Sequence, residues 1–410
     1  MVKNVIIIDN GSYGKGGTAQ VAYASAVELV NRHIQVHFIC ADSKPNEELV
    51  KAGVKVYCVP SENINKTSNK LKTAFQGIWN FNSAKKISRI LEKFDSKSTI
   101  IHIHGYLHCF SPSVLKACSK SGIKTVLTLH DYFTVCPCGG FYNYVKKSIC
   151  KIKPMSFKCI FSNCDKRNYL QKIWRLIRQI GINRYLTNNK NISLIYISEF
   201  SYSKIKSHMN LKHNVYYVKN PYDVSIGELY NAYDNHDYIF LGRLSSEKGV
   251  DLFCHAFTNL IKNNQIKGKA IVIGDGEIRT KLEEKYPEIE FAGWKNHDEL
   301  SQYMKNARAL VFPSRWYETA GLTPIEAMSC GIPCIISDCS AAVEYIDKSP
   351  NGLIFQSDSI KSLKNEVLKA EDDIYWKKIC MNNIEGFNVN DFSPVTHVSR
   401  LIEVYNQILK

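Results

Sequence analysis

Short runs of Val, Ile and Leu, bounded by Gly, Pro, Asn or Asp, recur along this chain with helical patterns between them. The first, Val5-Ile6-Ile7-Ile8-Asp9, leads into a glycine-rich turn (Gly11, Gly14, Gly16, Gly17) and a helical stretch from Thr18 to about Asn31, a strand, loop, helix unit. Further strands are predicted at Gln35 to Cys40, Val54 to Val59, Thr99 to His104, Lys124 to His130 and Ser193 to Ser198. Strands that alternate with helices predict a mainly parallel sheet covered on both faces. Asn220-Pro221 ends this half, and 222–237 reads as a linker. The pattern then restarts, with strands at Tyr238 to Leu244, Lys269 to Ile273, Ile289 to Ala292, Ala309 to Pro313, Pro333 to Ser337 and Gly352 to Phe355. The expected fold is α/β, with two doubly wound domains, 1–221 and 238–394, and ligands at the carboxyl ends of both sheets in the cleft between them.

Length and composition agree. A chain of 410 residues exceeds the ~250–300 at which one core stops growing, and 45% hydrophobic residues supply two cores. No apolar run approaches the ~20 residues of a membrane span, and no signal peptide is recognisable at the N-terminus. Fourteen cysteines without an export signal predict a reducing compartment, the cytoplasm. Charge is uneven: residues 1–220 carry 33 Lys+Arg against 11 Asp+Glu (+22), and residues 221–410 carry 20 against 27 (−7). The first half is therefore expected to meet something anionic, a membrane surface or nucleic acid. The basic residues are dispersed among apolar strands without a nucleic-acid-binding signature, which disfavours the second.

Candidate chemistry concentrates at predicted strand ends in the second half. Gly242-Arg243 with Glu247-Lys248-Gly249 puts two cations beside a turn, suited to a diphosphate or to solvent. Gly274-Asp275-Gly276 is a close-approach loop or a plain tight turn. In Glu318-Thr319-Ala320-Gly321-Leu322-Thr323-Pro324-Ile325-Glu326, Thr323 is the expected N-cap, Pro324 the first helical residue and Glu326 the partner of a capping box. The helix N-terminus there favours a phosphate oxygen. Glu318 has no local structural role in this pattern, whereas Glu326 has the cap as a competing one. Glu318→Ala is accordingly expected to cripple activity at little cost in stability, and Glu326→Ala to damage both.

Together Gly242-Arg243, Lys248-Gly249, Gly274-Asp275-Gly276, Phe291-Ala292-Gly293-Trp294 and Glu318 with seven residues before Glu326 resemble the C-terminal half of retaining glycosyltransferases of family 4, which have the GT-B fold. The resemblance covers roughly 238–356 and implies roles by position. Arg243 and Lys248 hold the donor diphosphate and stabilise the leaving nucleotide, and Glu326 bonds the ribose. Glu318 contacts the hydroxyls of the transferred sugar, the Leu322 and Thr323 amides touch the distal phosphate beside Gly321, and Gly274, Gly276 and Gly293 line the donor site near the base. Ala320 stands where the family often has Phe, which leaves the shape of the sugar pocket open. Gly16-Gly17 resembles the family's N-terminal glycine loop facing the donor phosphates. His104 matches a histidine near the transferred sugar, and the final helix, 395–410, is expected to cross back onto the N-terminal domain.

In the first half His102 and His104 share one strand face, with His102 expected to be a buried structural histidine. His130 and Asp131 end the next strand and face an acceptor or pack locally. Glu199 is an acceptor-side residue or a helix cap. Cys136, Cys138, Cys150, Cys159 and Cys164 crowd one stretch without the two-residue gap of a zinc knuckle, so free thiols are expected, with structural zinc the alternative. Asp165 to Leu186 reads as a basic amphipathic helix with Leu170, Ile173, Trp174 and Ile177 at helical spacing, fit for the inner face of an anionic membrane or for packing on its own domain.

The function expected is transfer of a sugar from a nucleoside-diphosphate sugar to a carbohydrate acceptor, lipid-linked, in surface polysaccharide biosynthesis. Retention of configuration follows from the resemblance, and no catalytic metal or further cofactor is expected. Rival readings are a nucleotide-sugar epimerase or phosphorylase on the same fold, a nucleic-acid-binding protein, and a catalytically silent scaffold.

Overall fold

The computed structural model describes residues 1–13, 16–63, 70–186, 189–209, 213–222, 229–346 and 348–410. Gly14 and residues 223–228 of the expected linker lie outside them. The chain divides into two compact units, one of Met1–Val145, Lys151–Asp223 and Asp391–Lys410, the other of Lys146–Cys150 and Val224–Asn390.

The first unit is built on a seven-stranded parallel sheet of β1 (Asn4–Ile8), β2 (Gln35–Cys40), β3 (Lys55–Cys58), β4 (Thr99–Ile103), β5 (Lys124–Thr128), β8 (Ile192–Tyr196) and β9 (Val215–Tyr217), in the order β3-β2-β1-β4-β5-β8-β9. Two further two-residue strands, β6 (Tyr142–Asn143) of this unit and β7 (Ser148–Ile149) of the other, are not part of it. The central strands are buried apart from Asn4 at the start of β1, the condition under which a strand reads as an unbroken Val/Ile/Leu run. Its helices are α1 (Gly17–Asn31), α2 (Glu47–Lys51), α3 (Lys70–Ile78), α4 (Phe81–Leu91), α5 (Ser113–Ser121), α6 (Phe157–Phe161), α7 (Tyr169–Leu186) and α8 (Glu199–Ile205).

The second unit carries a six-stranded parallel sheet in the order β12-β11-β10-β13-β14-β15, from β10 (Asp237–Leu241), β11 (Ala270–Ile273), β12 (Glu290–Gly293), β13 (Ala307–Phe312), β14 (Cys334–Ser337) and β15 (Leu353–Phe355). Helices α9 (Val250–Lys262), α10 (Arg279–Lys285), α11 (His297–Lys305), α12 (Leu322–Ser329), α13 (Ile360–Ala370) and α14 (Asp373–Gly386) accompany it. Phe240, Phe253, Phe257 and Trp376 fill its core. Arg308, fully buried, donates to the carbonyls of Ala370, Tyr233 and Asn235 and to Asp373, so its charge is spent joining loops.

The last helix, α15 (Pro394–Leu409), belongs to the first unit. Ser393 caps it through the Thr396 N–H, and Val398, Leu401 and Tyr405 enter the core shared by α1, β1 and β2. Tyr405 Oη lies 2.6 Å from His102 Nδ1, and Thr128 Oγ1 lies 2.7 Å from His102 Nε2, which makes His102 the structural histidine expected.

Three local expectations change. Strand β9 has three residues, too few for the sequence pattern to register. Helix α7 starts at Tyr169 because Asp165 is engaged beforehand, by the Arg167 N–H and by Arg175 at 2.7 Å. The expected capping box at Thr323 does not form. Gly321, at φ 88°, is the N-cap, and α12 runs from Leu322. Glycine takes that left-handed turn without strain, and Pro324 is tolerated in a first turn whose N–H groups have no helical partner.

Candidate active site

In the second unit every predicted donor residue except Glu326 lies at or just beyond the carboxyl end of a parallel strand or at the start of α12. Arg243 stands two residues past β10, and its Nη2 pairs with Glu247 Oε1 at 2.7 Å. Glu247 is buried and its other oxygen has no partner, so it fixes the guanidinium of an arginine whose side chain is itself 61% exposed. Lys248 ends the following 3-10 turn and its Nζ meets Glu318 Oε1 at 2.5 Å, over the Phe312 and Trp316 rings. Glu318 also accepts from Ser314 Oγ at 2.9 Å. Burial pushes the Glu318 carboxyl upward, but the Lys248 charge and these hydrogen bonds outweigh it and hold it below the usual carboxylate range. The two motifs are thus one device, further joined by Arg315 N–H to Glu247 O at 2.9 Å. Glu318 was expected to lie without structural ties; it is instead buried and paired with Lys248, whose acidic neighbour in the turn, Glu247, is taken by Arg243.

The loops after β10, β11 and β12 pack backbone against backbone. Gly274, at φ 134°, donates to Gly293 O at 2.8 Å, and a Cβ there would fall 2.0 Å from Gly242 O. Gly276 closes on Leu244 O in the same way. These glycines therefore serve the approach of neighbouring loops. The first-turn amides of Leu322 and Thr323 open α12 with no acidic residue in that turn. Glu326, about one turn on, lines a small pocket with Tyr230, His297, Ser301 and Cys330.

The first unit holds a cavity of about 620 Å³ at the carboxyl ends of its strands. Gly16 (φ 96°, the N-cap of α1) and Gly17 line it, as do His104, His130 and Asp131. His104 Nδ1 meets His130 Nε2 at 3.0 Å, while His104 Nε2 is buried without a protein partner. Burial first, then the neighbouring histidines, push His104 well below the usual histidine range, so it stands neutral. Asp131 is exposed and accepts the Phe133 N–H at 2.9 Å. Glu199 is not among the lining residues. It opens α8 and accepts from Tyr196 Oη at 2.6 Å, while Ser198 provides the cap.

Asp9 is the residue that sequence reasoning missed as a site group. It follows β1, is 2% exposed, and leaves Oδ1 without a partner inside the cavity wall. Burial pushes its carboxyl up to about 7, helped by Asp42 and opposed by the Gly11 N–H. Its signal was register: Ile8 pairs with Ile103, so Asp9 and His104 are the first residues past neighbouring strand ends. Among the described residues lining this cavity there is no Lys or Arg.

None of the five clustered cysteines is in a disulfide, and three of them surround Lys172, whose ammonium lies among their sulfurs. Among the described residues no group of three or more His, Cys, Asp or Glu is arranged to hold a metal ion, and no helix is long and apolar enough to cross a membrane.

Comparison with known proteins places this geometry. The family model for Glycosyltransferase Family 4 matches residues 15–225, more than half of the chain, and that for Glycosyl transferases group 1 matches 201–384. A Methanocaldococcus jannaschii glycosyltransferase of uncharacterized activity is 28% identical over 55% of this chain and 62% of its own length. The Escherichia coli UDP-Gal:alpha-D-GlcNAc-diphosphoundecaprenol alpha-1,3-galactosyltransferase is 28% identical over 41% of this chain and 44% of its own. Both alignments therefore take in less than two thirds of the relative. The crystal structure of Anabaena HepE with UDP and glucose superposes with a TM-score of 0.66 over 99% of this chain and 100% of that one at 14% identity, a likeness of fold. With these matches and this architecture, the chain belongs to the group 1, family 4 glycosyltransferases of GT-B fold.

Proposed function

We propose that this glycosyltransferase moves a sugar from a nucleoside-diphosphate sugar to a lipid-linked carbohydrate acceptor in surface polysaccharide biosynthesis, with retention of anomeric configuration. The observation that carries the reading is the Lys248–Glu318 pair beside Arg243, at strand ends in the unit where α12 opens without an acidic first turn. Uridine diphosphate is the first nucleotide to test, since the E. coli relative's name contains it.

In this scheme Arg243, Lys248 and the Leu322 and Thr323 amides take up the charge that grows on the departing diphosphate. The sugar C1–oxygen bond breaks with its electron pair going to the phosphate. The acceptor oxygen bonds C1 on the same face, and its proton passes to the departing phosphate oxygen. Glu318 receives sugar hydroxyls, and Glu326 the ribose. In the first unit Asp9, His104 and Thr134 hold buried polar atoms without partners on the cavity wall, which suits acceptor hydroxyls. No catalytic metal and no cofactor beyond the donor are required.

We place the enzyme in the cytoplasm against the inner face of the membrane. Helix α7 supports this by an inversion: it buries Lys172, Arg178 and Gln179 and turns Leu170, Ile173, Ile177 and Ile180 outward. Phe157 and Phe161 of α6 are 82% and 76% exposed, with Lys151, Lys153 and Lys158 exposed close by in sequence. Lys172 and Arg178, two cations of this basic helix, are committed inside.

The test is transfer from UDP-hexoses to a lipid-diphosphate acceptor with EDTA present, with the product anomer read by NMR. The reading expects acceptor-dependent transfer with retention. Sugar epimerised without acceptor, or turnover abolished by EDTA, contradicts it. In flotation, vesicles with anionic lipid are expected to carry the chain, and an Ile177→Glu, Ile180→Glu variant to stay behind; equal flotation of both removes the membrane face.

A further inference from the structure

The proposed transfer chemistry has no use for the cysteines that follow Asp131, yet three of them surround one buried amine. Lys172 Nζ, on α7, lies 3.2 Å from Cys164 Sγ, 3.4 Å from Cys159 Sγ and 3.9 Å from Cys138 Sγ. Its side chain is 1% exposed. Asp165, the acidic neighbour in sequence, is taken by Arg175 at 2.7 Å and reaches Cys138 Sγ only at 3.8 Å. A buried ammonium needs an anion beside it. Cys164 is placed to provide one. The contact with Cys138 draws its thiol below the usual cysteine range, against burial and Asp165 and with the help of Lys172. The same contact and burial push the Cys138 thiol far up, so that sulfur keeps its proton. Burial works against the Lys172 charge, and the surrounding sulfurs raise it again. The two sulfurs stand 3.6 Å apart, and Cys138 is only half-buried, which opens the pair to small oxidants.

We propose that Cys138 and Cys164 form a reversible oxidation site, a dithiol that hydrogen peroxide closes to a disulfide, with Lys172 stabilising the reacting thiolate. The Cys164 thiolate attacks one peroxide oxygen and the O–O bond breaks. The hydroxide released takes a proton from the Lys172 ammonium and leaves as water, and Cys164 becomes a sulfenic acid. Cys138 sulfur then attacks Cys164 sulfur, the S–O bond breaks, and the oxygen leaves as a second water with the Cys138 proton. Two sulfurs lose two electrons, one peroxide becomes two waters, and Lys172 loses its charge as its anion disappears. The sulfurs close from 3.6 Å to about 2.05 Å.

The oxidised pair has a route to the cavity. Tyr132 N–H donates to Gly139 O at 3.2 Å, Gly139 N–H to Cys136 O at 2.8 Å, and Gln179 Nε2 to Thr134 O at 3.2 Å. Movement at Cys138 therefore reaches the loop that carries Asp131, Phe133 and Thr134 into the lining. A severalfold change in acceptor KM with donor KM unchanged is the consequence. That last step rests on the proposed transferase function; the chemistry of the site does not.

Peptide mapping of the full chain without reductant, after hydrogen peroxide, tests the site directly. A Cys138–Cys164 link is expected, reversed by dithiothreitol, forming at least tenfold faster than any other pair. In K172Q it is expected to form at least tenfold more slowly at pH 7. In the wild-type chain the rate is expected to have levelled off by pH 8, below the usual cysteine range, with Lys172, Cys138, Cys159 and the Asp165–Arg175 pair as the charged and titrating surroundings. Links scattered evenly among the cysteines, or a rate that only begins to rise above pH 8, overturn the proposal. One zinc per purified chain that shields both sulfurs overturns it as well.

Discussion

The two units present opposite solutions to the problem of placing polar groups at the end of a parallel sheet. In the second, whose half of the chain is net negative, the working cations arrive with partners: Lys248 on Glu318, Arg243 on Glu247. In the first, whose half is net positive, the cavity holds carboxylates and neutral histidines, and several buried polar atoms have no protein partner. Net charge along the chain therefore misplaces the chemistry. Much of the first unit's positive charge decorates its surface, and Lys172 and Arg178 are spent inside it. On the proposed function, the paired site receives a charge that grows during reaction, and the unpaired cavity receives hydroxyls that bring their own hydrogen bonds.

Breaking the paired site is expected to have the largest effect. Glu318→Ala leaves the Lys248 ammonium facing a hydrophobic ring pair without its anion, so transfer should fall about 10²–10³-fold and stability by about 1–3 kcal/mol. Initial rates and a thermal melt measure both; a full loss of transfer with an unchanged melt would mean the pair contributes nothing to the fold. Arg243→Ala comes next, with a similar loss of transfer and a stability loss of about 1–3 kcal/mol, because the buried Glu247 carboxylate is left without its partner.

Asp9→Asn sharpens the contrast from the other side. Its folded-state carboxyl is raised from 3.8 to about 7, so between those values the folded chain holds a proton that the unfolded chain has lost. The protonated group costs nothing below pH 4; the cost grows between pH 4 and 7 and levels off above that, at about 4 kcal/mol at most. Asp9→Asn should therefore melt higher than wild type at pH 8, with the difference shrinking toward pH 5, while acceptor KM rises about tenfold. A variant that melts lower at pH 8 would show that the ionised carboxyl is stabilised in the fold. Glu326→Ala has the smallest expected effect: about tenfold in donor KM and no change in helix stability, since Gly321 rather than a side chain begins α12.

Much of this was legible because apolar runs and glycine punctuation report burial and turns, which are local. The strands at Gln35–Cys40 and Ala270–Ile273 lie where the pattern put them, and Arg243, Lys248 and Glu318 stand at or beyond strand ends as spacing implied. What was not legible depends on partners distant in sequence. The capping-box signature at Thr323 is chemically valid, but Gly321 turns the chain two residues earlier. The stripe of α7 points outward because Lys172 and Arg178 find cysteine sulfurs and a carbonyl inside, which no periodicity records. Asp9 looked like the end of a strand, and only its register beside His104 makes it a cavity group.

The central claim is that Arg243, Lys248 and the start of α12 form a diphosphate site. Calorimetric titration of the full chain with nucleoside diphosphates and the matching monophosphates tests it most directly. One diphosphate, UDP first, should bind, Arg243→Ala should weaken it at least tenfold, and the monophosphate should be nearly indifferent to that change. No diphosphate binding, or equal affinity for wild type and Arg243→Ala, would contradict the account.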